Sequence, residues 1–351
     1  MIRTRAVIRT RGWRGAVVFG LPALGLAAVV GWELVGSPAG DDSITVRLAF
    51  SAALLSLAGY VLAGVRLGPV RELRQVRAVA YATQRVLLRP LPARIDGLAV
   101  AASQLSASGG AMVGGDLYEA LATVHGVRLV IGDVRGHGLA AIGAVAAVLG
   151  SFREAAHDEP GLPGVARRLE RALERHLRER SRQEHPAAGG AAPGHPSAEE
   201  FVTVLLLQID SEGAMTAVNC GHPWPYRLGK SAGPLCGREP LPPLGTFPLP
   251  AAVEADRCGR LLPGDALFLH TDGATDARDS AGRFFRLEEA LCDAAADGVS
   301  APARVIQRVH GALLRHTGGR ITDDVALLVL RNDRRGAFGR PDPVRTARSA
   351  L

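Results

Sequence analysis

The stretch SGGAMVGGDLYEALATVHGVRLVIGDVRGHG, residues 108–138, decides how the rest of this chain reads. Two aspartates in it, Asp116 and Asp133, each follow a glycine. Between them VHGVRLVI, residues 124–131, reads as a short buried strand, apolar, β-branched and bounded by glycines. A Gly-Asp at each end of a hairpin brings two carboxylates to one rim of a sheet, and glycine lets the loops fold tightly there. Carboxylate and carbonyl oxygens so placed suit hard cations such as Mg2+ and Mn2+. Gly-Asp is also common turn chemistry, so this stretch alone leaves both readings open.

The segments further out choose between them. In LPGDALFLHTDGATD, residues 262–276, the buried strand ALFLH delivers Thr271-Asp272-Gly273 at its end. In TDDVALLVL, residues 322–330, Asp323 and Asp324 open another apolar strand. Four Asp-bearing loops are thus each joined to a short apolar strand. With GGDLYE (114–119), GDVRGHG (132–138), NCGHPWP (219–225) and PPLG (242–245), these segments resemble the metal-dependent Ser/Thr protein phosphatases. These are the PPM type, protein phosphatase 2C-like, and the likeness is to the bacterial branch typified by SpoIIE. Six motifs in the family's order cover about residues 88–331.

The resemblance implies an α+β fold, an α/β/β/α sandwich of two antiparallel sheets. It implies a phosphoserine or phosphothreonine protein as substrate, typically an anti-sigma-factor antagonist. It also implies a centre of two divalent ions, Mn2+ or Mg2+, with Asp133 as the bridging carboxylate and Asp116 beside it. Val134 then contributes a backbone carbonyl, and Asp272 and Asp323 hold one ion, with Asp324 the neighbouring competitor for that place. Phosphoester hydrolysis needs an activated water and charge neutralisation, and two such ions supply both. Animal-type relatives carry a histidine soon after the bridging aspartate; Arg135 and His137 occupy that neighbourhood here. His137 could protonate the leaving oxygen or brace the turn, and Arg135 could bind phosphate or stay solvated. His222, in NCGHPWP, reads as a structural histidine near the sheet core. A pseudophosphatase scaffold is the competing function, although all four expected aspartates are present. A nucleotide cyclase is a third reading, from Gly114-Gly115-Asp116, but Leu117-Tyr118 follows, and Thr271-Asp272-Gly273 would be unexplained.

The order of elements agrees with a layered sandwich. A strand is expected over 98–106, helices over 139–156 and 165–182, a hairpin from 201–209 and 215–220, and helices over 287–296 and 303–316. Residues 185–198, HPAAGGAAPGHPSA, read as a flexible surface insertion.

The chain has 351 residues and is 47% hydrophobic, with the excess near the N-terminus. Residues 15–35 and 48–65 are apolar runs of membrane-spanning length. The second run argues against reading the first as a signal peptide. Arginines flank the pair on its outer sides, with Asp41 and Asp42 between, which predicts a multi-pass cell-membrane protein with both termini and the catalytic domain cytoplasmic. The resulting organisation is a basic N-terminus (1–14), two spans (15–66), a linker helix (67–92), the phosphatase domain (93–331) and a basic disordered tail (332–351). Leu73, Val76, Ala80, Thr83 and Leu87 form a thin seam that could pair two copies or pack on its own domain. The net charge of +7 is explained by arginines beside the spans and in the tail, with no nucleic-acid motif. Cys220, Cys236, Cys258 and Cys292 are widely spaced, form no CxxC, and read as free thiols.

Overall fold

The computed structural model describes residues 87–105, 114–136, 139–184, 200–228, 232–296, 298 and 301–334. Eleven strands among these form two antiparallel sheets. One holds, in spatial order, β1 (Arg94–Ile95), β2 (Leu98–Leu105), β11 (Val325–Asn332), β10 (Ala266–His270), β7 (Tyr226–Leu228) and β8 (Ala232–Pro234). The other holds β3 (Leu117–Thr123), β4 (Gly126–Val134), β5 (Val202–Ile209), β6 (Ala214–Cys220) and β9 (Asp256–Arg260).

Alternation along the strands builds the layers. In β4, Leu129 and Ile131 face a core that also takes Leu205 and Leu207 of β5 with Leu267, Leu269 and Leu328 of the other sheet. Val130 and Val134 face the opposite way, onto α1 (Leu139–Asp158) and α2 (Leu162–Glu184), with Phe152 and Leu169 in that core. Phe268, Leu327 and Val329 of the six-stranded sheet bury against α3 (Leu287–Ala295) and α4 (Pro302–His316). The central strands are covered on both faces, so they read as continuous apolar runs. The arrangement is the expected four-layer sandwich.

The hairpin is shifted from its sequence reading. Val124 lies in the turn and is 89% exposed, and β4 starts at Gly126. Thr123 Oγ1 accepts from His125 N and donates to Gly126 O, which closes the turn. Gly126 has φ of 98°, and a Cβ there would meet Ile209 O at 2.4 Å. The strand instead runs on to Val134, so Asp133 is its penultimate residue.

Arg128 sits in β4 and is fully buried. Its guanidinium donates to Ala156 O (2.9 Å), Glu159 O (2.6 Å) and Pro160 O (3.1 Å), and its Nε donates to Gln208 Oε1 (2.9 Å). It thus caps the C-terminal end of α1, where carbonyls lack intrahelical partners and the helix dipole is negative.

Two expectations are corrected. The location as a multi-pass membrane protein does not stand: among the described residues no helix is long and apolar enough to cross a membrane. Of the two longest helices, α2 carries charge along its length, and α1 ends in Arg153, Glu154, His157 and Asp158. The runs 15–35 and 48–65, the insertion 185–198 and the residues after 334 lie outside the described residues. So does the pairing helix, except for residues 87 and 88. The basic tail also starts later than read. β11 continues to Asn332, Asp333 pairs with Arg331 and Arg94, and Arg334 pairs with Asp96.

Candidate metal centre

Strand register brings the aspartates together. Leu117 pairs with Gly132 across the β3–β4 hairpin, so Asp116 and Asp133 flank its open end. Val134 N donates to Gly115 O at 3.2 Å and closes that end. β10 and β11 are antiparallel neighbours, with His270 opposite Leu327. Asp272, just past β10, therefore lies beside Asp323 and Asp324, just before β11.

The glycines of the first loop permit the approach. A Cβ on Gly115 would stand 2.3 Å from Val134 O and 2.7 Å from Asp133 Oδ1. One on Gly114 would stand 2.0 Å from an Asp324 carboxylate oxygen, and one on Gly273 would stand 2.0 Å from Asp324 O. The loop 114–116 thus packs directly on the loops carrying Asp133 and Asp324.

The carboxylates act on one another. Burial first, then Asp133 and Asp324, hold the Asp116 carboxyl well above the usual carboxylate range. Burial first, then Asp272, Asp323 and Asp324, push Asp133 up to about 7. Asp272 is raised by burial, Asp323 and Asp276. Every charge responsible for these shifts belongs to another aspartate. Asp116 also hydrogen-bonds Asp133, and its Oδ2 accepts from Thr271 Oγ1 at 3.1 Å.

Thr271 belongs to both sheets' business at this point. Its Oγ1 donates to Asp116 and accepts from Ala326 N at 2.9 Å, and its N donates to Ala326 O. A second bridge starts at Asp133 N, which donates to Thr203 Oγ1 (3.3 Å). Thr203 Oγ1 lies 3.1 Å from His222 Nδ1, and His222 Nε2 lies 3.1 Å from His270 O. The carbonyl fixes the tautomer: Nε2 carries the proton, and Nδ1 accepts from the threonine. Asn219 holds the His222 backbone from both sides. His222 is therefore the buried structural histidine its motif indicated.

Burial depresses the His222 pKa to about 3, with His270 a smaller contributor, and burial depresses His270 to about 4. The unfolded chain protonates both near 6.5. Folding thus gains stability from neutral histidines that is complete above about pH 6.5 and is lost as pH falls toward 4. At pH 5 the loss is about 2 kcal/mol for each. The raised aspartates act in the opposite sense, so the informative measurement is a difference. The stability deficit of His222→Asn relative to wild type should shrink by about 2 kcal/mol between pH 7 and pH 5 in chemical denaturation. A deficit independent of pH would contradict this.

The donor set is one of hard oxygens that share charge, which fits a divalent cation. Among the described residues, no three His, Cys, Asp or Glu side chains stand around one point at ligand spacing. The fit therefore rests on donor chemistry and shared charge. Asp272 is half-buried and Asp323 exposed, so both can turn toward a cation, whereas Asp324 is buried against Gly114. Asp324 is the acidic residue that the aligned motif passed over. Its burial and closeness to Asp116 come from tertiary packing, and the adjacent Asp-Asp was the signal for it. Thr271 lies within the Thr-Asp-Gly motif, and Thr203, within an apolar strand, carried no signal of its own. Arg135 stacks over the Phe201 ring, 5.2 Å from its centroid, and is exposed. His137 lies outside the described residues. The groove between α3, α4 and residues 283–286 shares no residue with this centre.

Comparison with known proteins identifies the family. The family model for stage II sporulation protein E (SpoIIE) matches residues 123–333, more than half of the chain. This chain belongs to the SpoIIE family. It is a family of PPM-type Ser/Thr phosphatases, and five of the six motifs lie wholly within the matched span. The chain is similar to Protein IcfG of Synechocystis, 29% identical over 152 residues, which are 40% of this chain and 22% of that one. It thus spans less than a quarter of that curated relative's length. Among solved structures, the RsbU and RsbW domains of Rv1364c from Mycobacterium tuberculosis are 27% identical, with a TM-score of 0.48 over 69% of this chain and 62% of that one. The SiaA-PP2C domain of Pseudomonas aeruginosa is 18% identical, with a TM-score of 0.53 over 77% of this chain and 98% of that one, a likeness of fold.

Proposed function

We propose that this SpoIIE-family chain is a metal-dependent phosphatase that hydrolyses phosphoserine or phosphothreonine on a regulatory protein. The observation that carries this reading is the convergence of aspartates from both sheets into one partly buried, mutually repelling cluster. Such a cluster is costly unless cations occupy it. The substrate class is the one the motifs imply, an anti-sigma-factor antagonist in a partner-switching pathway.

Two ions, Mn2+ or Mg2+, would be held by Asp116, Asp133, the Val134 carbonyl, Asp272 and Asp323. When bound, they supply Lewis acidity and offset the charge of the phosphoryl group. The protein's own part is positioning. Thr271 holds Asp116 against β11, and the Thr203–His222 bridge ties the Asp133 backbone to the opposite sheet. Gly114 and Gly115 let the carboxylates approach without intervening side chains.

The test is manganese-dependent release of phosphate from p-nitrophenyl phosphate and from a phosphoserine protein, abolished by chelation. Turnover unchanged in chelator would refute the metal reading, and no turnover with any divalent ion would favour the scaffold. The adjacent acids give a sharper test. Asp323→Ala should lower turnover about a hundredfold, while Asp324→Ala should cost less, because its buried carboxylate braces Gly114. The reverse order in steady-state rates would transfer the ligand role to Asp324.

A further inference from the structure

Cys236 and Cys258 are 22 residues apart in sequence, yet their Sγ atoms lie 2.7 Å apart. A disulfide bond is about 2.05 Å long, so the two thiols are within about 1 Å of bonding distance. Cys258 is buried in β9, the last strand of the five-stranded sheet. Cys236 is half-buried and follows β8, the last strand of the six-stranded sheet. The pair therefore sits where the edges of the two sheets meet, against the core between them.

The surrounding contacts hold the two segments in register. Arg238, two residues after Cys236, pairs with Asp256, two residues before Cys258, at 2.7 Å. Trp224 Nε1 donates to Arg238 O at 3.0 Å, and Leu235 N donates to Pro225 O at 2.7 Å. The segments thus run antiparallel at the thiols, an alignment in which opposite residues approach within disulfide range.

We propose that Cys236 and Cys258 form a reversible dithiol–disulfide pair that staples the two sheets at this edge, oxidised by small disulfides such as glutathione disulfide. The more accessible Cys236 attacks as its thiolate on one sulfur of the small disulfide and releases one thiol equivalent. Cys258 then attacks the Cys236 sulfur of the mixed disulfide; its proton passes to the departing thiolate, which leaves as the second thiol. Two protein thiols are oxidised by two electrons and one small disulfide is reduced to two thiols. Burial and the neighbouring Cys236 thiol hold the Cys258 thiol well above its ordinary pKa, which suits it to the second step rather than the first. The bond would close residues 236–258, a loop in which Leu241 and Leu244 pair with Cys220 and Val202. Val202 immediately precedes Thr203, the contact of Asp133.

The experiment incubates the folded full chain in glutathione–glutathione disulfide mixtures, blocks remaining thiols by alkylation under denaturing conditions, and maps peptides by mass. The expected product is a Cys236–Cys258 cross-linked peptide pair about 2 Da lighter than the two reduced peptides. Buried Cys220 should remain alkylated at both ends of the titration, and exposed Cys292 should take glutathione but enter no cross-link. Thermal unfolding of the oxidised form should shift upward by about 5 °C or more, and dithiothreitol should reverse the shift. Cys258→Ala should leave Cys236 trapped as a glutathione adduct, and Cys236→Ser should abolish both products at Cys258. The wild-type peptide map does not depend on either variant folding. Glutathione captured on Cys236 of wild type without a cross-link would overturn the proposal, as would a cross-linked form no more stable than the reduced one.

Discussion

Asp133→Asn should lower manganese-dependent turnover about a thousandfold while leaving the domain folded, a loss of about 4 kcal/mol in transition-state stabilisation. The substitution keeps the shape of the side chain and removes one charge from the centre of the cluster. Asp133 is the carboxylate on which Asp272, Asp323 and Asp324 all act, and it hydrogen-bonds Asp116. It is thus the acid best placed to serve two cations. The same crowding fixes the sign of the stability effect. In chelator the variant loses a repelled anion, so its Tm should equal or exceed that of wild type. The upward Tm shift expected of wild type in manganese should be largely absent in the variant. Phosphatase assays and thermal scans with and without manganese read both quantities. Near-wild-type turnover would remove Asp133 from the metal centre, and a lower Tm in chelator would show that its role is in folding.

Arg128→Leu should cost about 3–5 kcal/mol of folding stability, the largest effect expected outside the metal centre. The leucine fills part of the space but leaves Ala156 O, Glu159 O and Pro160 O facing an apolar wall without donors. Those carbonyls lie in the last turn of α1 and in the two residues just after it, and α1 covers β4 and so backs the strand carrying Asp133. Arg128→Lys keeps a charge but loses the planar fork that reaches three carbonyls, and should fall between wild type and leucine. Urea denaturation of the three proteins gives the comparison. A leucine variant within about 1 kcal/mol of wild type would show that water serves the helix end as well as the guanidinium does.

The layered α/β/β/α architecture and the family were legible in the sequence through motifs that resemble a known family. Part of the reason is local: strands buried on both faces are apolar throughout, and the aspartates that cluster sit at their ends. ALFLH-TDG and TDD-VALLVL state that pattern without any knowledge of contacts. The hairpin was legible too, although its turn was misplaced, because Val124 looks like a strand residue and only its packing shows that it is exposed. The membrane location read from residues 15–65 rested on hydropathy and on the arginines flanking the two runs, and no described helix supports it.

Everything that depends on residues far apart in the chain came from packing. Arg128 reads as one charge interrupting a strand, until α1 brings three helix-end carbonyls to it. Asp323 and Asp324 are adjacent and chemically identical, and only packing makes one exposed and the other buried against Gly114. The bridge from Asp133 through Thr203 and His222 to His270 joins two sheets, which no local periodicity can encode. Cys236 and Cys258 carry no motif spacing at all. Their sulfurs meet because the last strands of two separate sheets close over one core, and sequence distance does not measure that approach.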